Sequence, residues 1–201
     1  LASTPAKRRS RPGDPPKYAE PTDDPDETRR RRATANRVLA MLKGALNHAW
    51  REGKVASDDA WRRVQPFKET DQARTRYLSN DEITRLVNAC EGGFRRLVQG
   101  ALYTGARYGE LTRMRVDDFN SDAGTVTVRA SKSGKPRHVV LTDNGAAFFE
   151  TMTAGRKGDA PIFVRDGGAA WGAYQQRRPM IDACQRAKID PAATFHTLRH
   201  T

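Results

Sequence analysis

The chain has 201 residues, 37% hydrophobic and 30% charged, which is enough for one ordinary domain or for one domain with a piece of another. Lys and Arg number 36 against 24 Asp and Glu, a net charge of +12 that divides evenly on either side of residue 70; a positive field spread this way fits a polyanion lying across the protein, DNA or RNA above all. No apolar run approaches the ~20 residues of a membrane span and no secretory signal is present, so a cytoplasmic protein with no membrane partner is expected, and the opening on Leu1 rather than Met points to missing upstream sequence.

Residues 1–32 carry six of the eleven prolines, an acidic stretch (Asp23, Asp24, Asp26, Glu27) and the run Arg29-Arg30-Arg31-Arg32. Little of this can be buried, so the segment reads as a poorly ordered linker or the remnant of an earlier element. From Thr34 the pattern changes. Val38, Leu39, Leu42, Leu46, Ala49 and Trp50 recur at helical spacing and predict one apolar stripe on a helix that Gly53 ends. Trp61, Val64 and Phe67 form a further apolar group. One long helix cannot bury its stripe alone, so residues 33–72 read as part of a small helical domain.

A fresh start comes at Ser79-Asn80-Asp81-Glu82, a capping box, with Leu78 and Ile83 placed as a hydrophobic staple. Ile83, Leu86, Val87 and Cys90 define the buried face of this helix, and Gly92-Gly93 is expected to stop it. Phe94, Leu97, Val98, Ala101 and Leu102 predict a second helix ending at Thr104-Gly105, and Glu110-Leu111 begin another. The alternating Thr125–Arg129, answered by Arg137–Leu141, predicts a β-hairpin with a long basic tip. Thr142 caps a helix through Phe148, Phe149 and Met152. Ile162-Phe163-Val164 reads as a short strand, and a helix follows near residues 173–187. Cys90 and Cys184 lie far apart in apolar segments and read as buried reduced thiols, not as a disulfide or a metal site.

Three segments concentrate chemistry. In Thr104-Gly105-Ala106-Arg107-Tyr108-Gly109-Glu110-Leu111, Arg107 reads either as an anion ligand at a sharp turn or as a surface pair with Glu110 worth under ~1 kcal/mol. In Ser131-Lys132-Ser133-Gly134-Lys135-Pro136-Arg137, Lys132 is either a proton donor carried on a β-turn or part of a solvated basic tip. In His196-Thr197-Leu198-Arg199-His200, His196 and Arg199 share a helix side. The two histidines also have the i, i+4 spacing of zinc ligands. Threonine stands where the general-base glutamate would be and no third ligand is evident, so a hydrogen-bonded pair is expected instead.

The order of these pieces resembles the tyrosine recombinases, the phage integrase family, over roughly residues 33–201. The resemblance implies an α+β, mainly helical catalytic domain with a small antiparallel β-hairpin or sheet over residues 73–201, incomplete at its C-terminus. It also implies that residues 33–72 are the last part of a helical core-binding domain. Arg107 and Arg199 would clamp the non-bridging oxygens of the scissile phosphate in double-stranded DNA. Lys132 would protonate the departing 5′ oxygen, and His196 would hydrogen-bond the phosphate. Lys135, Arg137, His200, Arg37 and Lys43 are candidate DNA contacts. The family uses a covalent 3′-phosphotyrosine and a synaptic tetramer, and no metal or nucleotide cofactor. Its nucleophilic tyrosine lies beyond the HxxR segment, whereas Tyr18, Tyr77, Tyr103, Tyr108 and Tyr174 all precede it, so this chain alone is expected to be inactive. A truncated, non-catalytic DNA-binding relative and a type IB topoisomerase are the alternatives, the latter disfavoured by the core-binding-like helix.

Overall fold

The computed structural model describes residues 7–8, 13–15, 17–18, 23–70, 76–129 and 135–201. It resolves into two compact units, Leu1–Arg74 and Thr75–Thr201. Among the described residues, no helix is long and apolar enough to cross a membrane.

In the first unit, β1 (Lys7–Arg8) and β2 (Lys17–Tyr18) pair antiparallel. They are followed by α1, Pro25–Arg51, a helix of 27 residues. The helix predicted from Thr34 thus begins nine residues earlier. Asp24 caps it by accepting from the Asp26 N–H at 3.0 Å, Pro25 takes the first turn, and Asp26 and Glu27 sit at the positive end of the peptide dipoles. These start signals outweigh the polar composition. The arginine run therefore falls inside α1, where Arg29 pairs with Asp26, Arg30 with Asp24 and Arg31 with Glu27. The guanidinium of Arg32 lies 5.7 Å from the centre of the Phe67 ring.

The expected apolar stripe is present but only partly covered. No residue of α1 is buried, and Val38 and Leu42 remain 47% and 54% exposed. The following segment is held along the helix by polar anchors. The Asn36 side chain bonds both the N–H and the C=O of Phe67, each at 2.8 Å. The Lys43 ammonium donates to the carbonyls of Val64 (2.8 Å) and Arg62 (3.3 Å). Trp61, in α2 (Asp59–Arg62), is buried, with its indole N–H on Asn47 Oδ1 at 2.6 Å.

In the second unit, α3 (Asn80–Ala89) opens on the predicted capping box, with Ser79 N–H on Glu82 Oε2 at 3.0 Å and Glu82 N–H on Ser79 Oγ at 3.3 Å. Gly92-Gly93 does not stop this helix. Cys90 ends it, and the glycines start α4, Gly92–Thr104. The cause is distant in sequence: Asp166 accepts from the Gly93 N–H at 2.7 Å, and the Val164 carbonyl oxygen lies 2.3 Å from where a Gly93 Cβ would be, too close for a side chain. α4 is the central element, with Leu97, Val98 and Ala101 fully buried. It ends as predicted at Gly105, whose φ of 57° is left-handed and favours glycine.

After the short α5 (Tyr108–Leu111) and a 3-10 turn at Val116–Asp118 comes a three-stranded antiparallel sheet, β3 (Phe119–Asn120), β4 (Thr125–Val128) and β5 (Arg137–Val140). The predicted hairpin is β4–β5, in the register Thr125↔Val140 and Val128↔Arg137. Val126 and Val128 face the core while Thr125 and Thr127 are half-buried, the alternation legible in the sequence. β3 was not anticipated. α6 (Asp143–Thr153) is capped by Thr142, and its Phe149 packs on Phe163 with ring centres 5.9 Å apart. The predicted strand Ile162–Val164 is not a sheet strand. Single bridges at Arg115↔Pro161 and Val164↔Ala170 hold it, with Ile162 and Phe163 buried as core.

α7 spans Arg177–Arg186, shorter than expected because residues 173–176 are taken up by turns. α3 and α7 cap each other's C-termini, Arg85 donating to the Ala187 carbonyl (3.1 Å) and Arg186 to that of Ala89 (2.7 Å). Cys90 and Cys184 are both buried and unbridged. α8, Phe195–His200, buries Phe195 and Leu198 and is opened by reciprocal Thr194–Thr197 hydrogen bonds.

Candidate functional site

Arg107 is the residue before α5, in extended backbone set by the Gly105 turn. Thr104 stiffens the approach: its hydroxyl donates to Gly100 O at 2.6 Å and accepts from the Ala106 N–H at 3.1 Å. Glu110, three residues on, receives the Arg107 backbone N–H on Oε2 (2.8 Å) and Arg107 Nη1 on Oε1 (2.9 Å). The Arg107–Glu110 pair therefore exists, but it is not a surface pair. The Glu110 side chain is 3% exposed and that of Arg107 is 45% exposed.

Arg137, the first residue of β5, grips the same carboxylate, Nη1 on Oε1 at 3.2 Å and Nη2 on Oε2 at 2.7 Å. Burial alone pushes the Glu110 carboxyl up. The Arg137 guanidinium, the Arg107 N–H and the Arg107 guanidinium outweigh that and hold it down at about 2. Glu110 is thus a fixed anion between two cations. The sequence offered a signal for this in a lone glutamate in a positive motif, but not the second partner.

Arg199 comes from α8 and reaches the same segment. Its Nη1 donates to the Gly105 carbonyl at 2.6 Å, two residues before Arg107. Tyr108 fastens the two segments. Its ring meets Phe195 edge-on with centres 5.3 Å apart, and its hydroxyl donates to Gly172 O at 2.7 Å. Residues 92 positions apart in sequence are thereby brought to one place, with Arg107 and Arg199 anchored around one turn of backbone. His196 and His200 are exposed on α8 and face each other, Nε2 to Nε2 at 3.0 Å, as a hydrogen-bonded pair. Among the described residues, no group of three His, Cys, Asp or Glu side chains is arranged to hold a metal ion.

Lys132 lies outside the described residues. Lys135 is exposed just before β5, and Arg37 is exposed on α1. Lys43 is occupied by the carbonyls of residues 62 and 64, as above. Beside Glu110 a cleft of about 470 Å³ is lined by Arg113, Arg115, Asp118, Arg129 and Asp159 among others. On its wall the buried Asp118 carboxylate accepts from Arg129 Nε and from the Arg115 N–H.

Residues 76–201 match the phage integrase family. Tyrosine recombinase XerD of Mycobacterium tuberculosis is 28% identical over 186 residues, covering 84% of this chain and 59% of that relative, so the chain spans under two thirds of its length. Among solved structures, a lambda integrase (75-356) dimer bound to a COC' core site superposes with a TM-score of 0.66 at 20% identity, covering 94% of this chain and 72% of that one. The XerA recombinase does so at 0.52 and 24% identity, over 70% of this chain and 54% of that one. The mainly helical unit with its small antiparallel sheet is the fold these structures share. Taken with the family match over most of its length, this chain belongs to the phage integrase family of tyrosine recombinases.

Proposed function

We propose that this chain holds duplex DNA and activates one of its phosphodiesters for strand exchange, as part of a site-specific recombinase. Arg107 and Arg199 take the non-bridging oxygens of that phosphate. The planar, cationic guanidinium fork matches phosphate geometry. Charge that builds on those oxygens as a fifth bond forms at phosphorus is stabilised by donors already in place. His196 hydrogen-bonds the phosphate, and Lys132 delivers a proton to the 5′ oxygen as the P–O bond breaks. In the complete reaction a tyrosine oxygen forms the new bond to phosphorus, conserving the energy of the broken ester for rejoining. The single observation that supports this reading is Arg199 on the Gly105 carbonyl, beside Arg107.

In this reading residues 33–72 are the last part of a core-binding domain and residues 73–201 the catalytic domain, working in a tetramer on DNA. The 201-residue chain by itself binds duplex without forming a covalent adduct. Its tyrosines all precede the His196–Arg199 segment, Tyr108 is engaged with Gly172 and Tyr103 packs on Phe148. The test combines two measurements. Fluorescence anisotropy with a labelled duplex should show affinity falling by about a thousandfold between roughly 50 and 200 mM salt, because bound cations release counterions. A nicked suicide duplex should yield no protein–DNA adduct resistant to denaturant. Salt-independent binding would refute the DNA-holding role, and an adduct on any of the five tyrosines would refute the inactivity of this chain.

A further inference from the structure

We propose that Arg137 is a positioning residue that locks Arg107 through Glu110, and not a DNA contact. The inference rests on the reading of Arg107 as a phosphate ligand. An ionised carboxylate offers about four lone-pair sites, and Glu110 uses four, two for Arg137 and two for Arg107. Arg137 supplies its pair as a two-pronged fork, the geometry that fixes a carboxylate plane as well as its charge. It does so from the end of a strand where it pairs with Val128 in the sheet, so the fork has a rigid base. With the carboxylate plane fixed, Arg107 is held at two points, by its backbone N–H and by Nη1. Among the described residues the Nε and Nη2 of Arg107 make no other hydrogen bond, and its side chain is 45% exposed, so these donors are free to take an oxyanion. Arg137 is less exposed, at 30%, and its fork is already used on Glu110.

The role requires a guanidinium. Lysine would keep the charge but bring one nitrogen to one oxygen, leaving the carboxylate free to rotate. The test is nitrogen-detected NMR of Arg107 in the isotopically labelled 201-residue chain, first without ligand and then titrated with inorganic phosphate. In the unsubstituted chain the two Nη signals of Arg107 should be distinct, reporting slow rotation about Nε–Cζ. In Arg137→Ala and in Arg137→Lys they should merge, while the Arg199 signals stay unchanged. The apparent dissociation constant for phosphate read at Arg107 should rise about tenfold in both variants.

A locked Arg107 in Arg137→Ala, or its restoration by Arg137→Lys, would overturn the proposal. Should Arg137→Ala not fold, Arg137→Lys decides alone. An Arg107 that is locked in the unsubstituted chain, is released in the variants, yet never responds to phosphate would support the positioning role and sink the phosphate-ligand reading on which its purpose rests.

Discussion

Replacing Glu110 by glutamine exchanges the buried carboxylate for its closest neutral shape. The carboxylate accepts four N–H groups, whereas an amide offers one oxygen and turns an NH₂ toward guanidinium donors. The magnitude follows from the acidity. Burial favours the neutral form, yet the two arginines bring the carboxyl from 4.5 to about 2, and about 2.5 pH units at 1.36 kcal/mol each is about 3 kcal/mol. Because the folded-state pKa is depressed, this stabilisation is complete above about pH 4.5 and drains away as the pH falls toward 2. Glutamine mimics the protonated state at every pH. Glu110→Gln should therefore lose about 3 kcal/mol at pH 7, roughly 10 °C in the melting midpoint of a unit this size. The gap to the unsubstituted chain should narrow steadily below about pH 4.5. Urea unfolding followed by circular dichroism at pH 7, 5, 4 and 3 reads both quantities. Equal stabilities at pH 7, or a gap that persists undiminished at low pH, would refute the picture of a charged, doubly gripped Glu110.

Two further outcomes follow from the packing. Gly93→Ala puts a Cβ 2.3 Å from the Val164 carbonyl and 3.1 Å from Arg165 Cα, so it should cost about 1–3 kcal/mol; an unchanged melting point would mean that loop gives way freely. Burial pushes the Cys90 thiol up to about 11, with the Cys184 thiol beside it adding to the shift. At pH 8 only about one molecule in a thousand is then thiolate, and iodoacetamide should label Cys90 far faster in urea than in the native protein. Equal rates would contradict its burial.

What was legible in the sequence was local. The Ser79–Glu82 box, the left-handed Gly105 and the alternation of β4 against β5 each depend on residues a few positions apart, and each formed where its pattern said. The start of α1 was also local, written in Asp24-Pro25-Asp26-Glu27, but the proline-rich and charged surroundings masked it. Gly92-Gly93 was misread for a different reason. A glycine pair ends helices by default, and only a carboxylate 73 residues away turns this one into a beginning. Ile162–Val164 has the composition of a strand, yet lacks neighbours to pair with beyond single bridges.

The site divides in the same way. Arg107, His196 and Arg199 stand out in the sequence as candidates from their motifs, and folding sets Arg199 on the Gly105 carbonyl near Arg107. That Glu110 ties Arg107 to Arg137 could not be read there, because the sharing of one carboxylate by a helix start and a strand end exists only after folding. Nor could the sequence show that Lys43, a candidate for its charge, donates to the carbonyls of Arg62 and Val64 in its own unit.

The most direct measurement is a crystal structure of this chain grown in sulfate or soaked with tungstate, an anion of phosphodiester-like geometry. One tetrahedral anion should be bound by the guanidinium groups of Arg107 and Arg199 together, with His196 on its flank and Arg137 still on Glu110. Anions bound to each arginine at separate places, or none at either, would contradict the convergence on which the proposed chemistry depends.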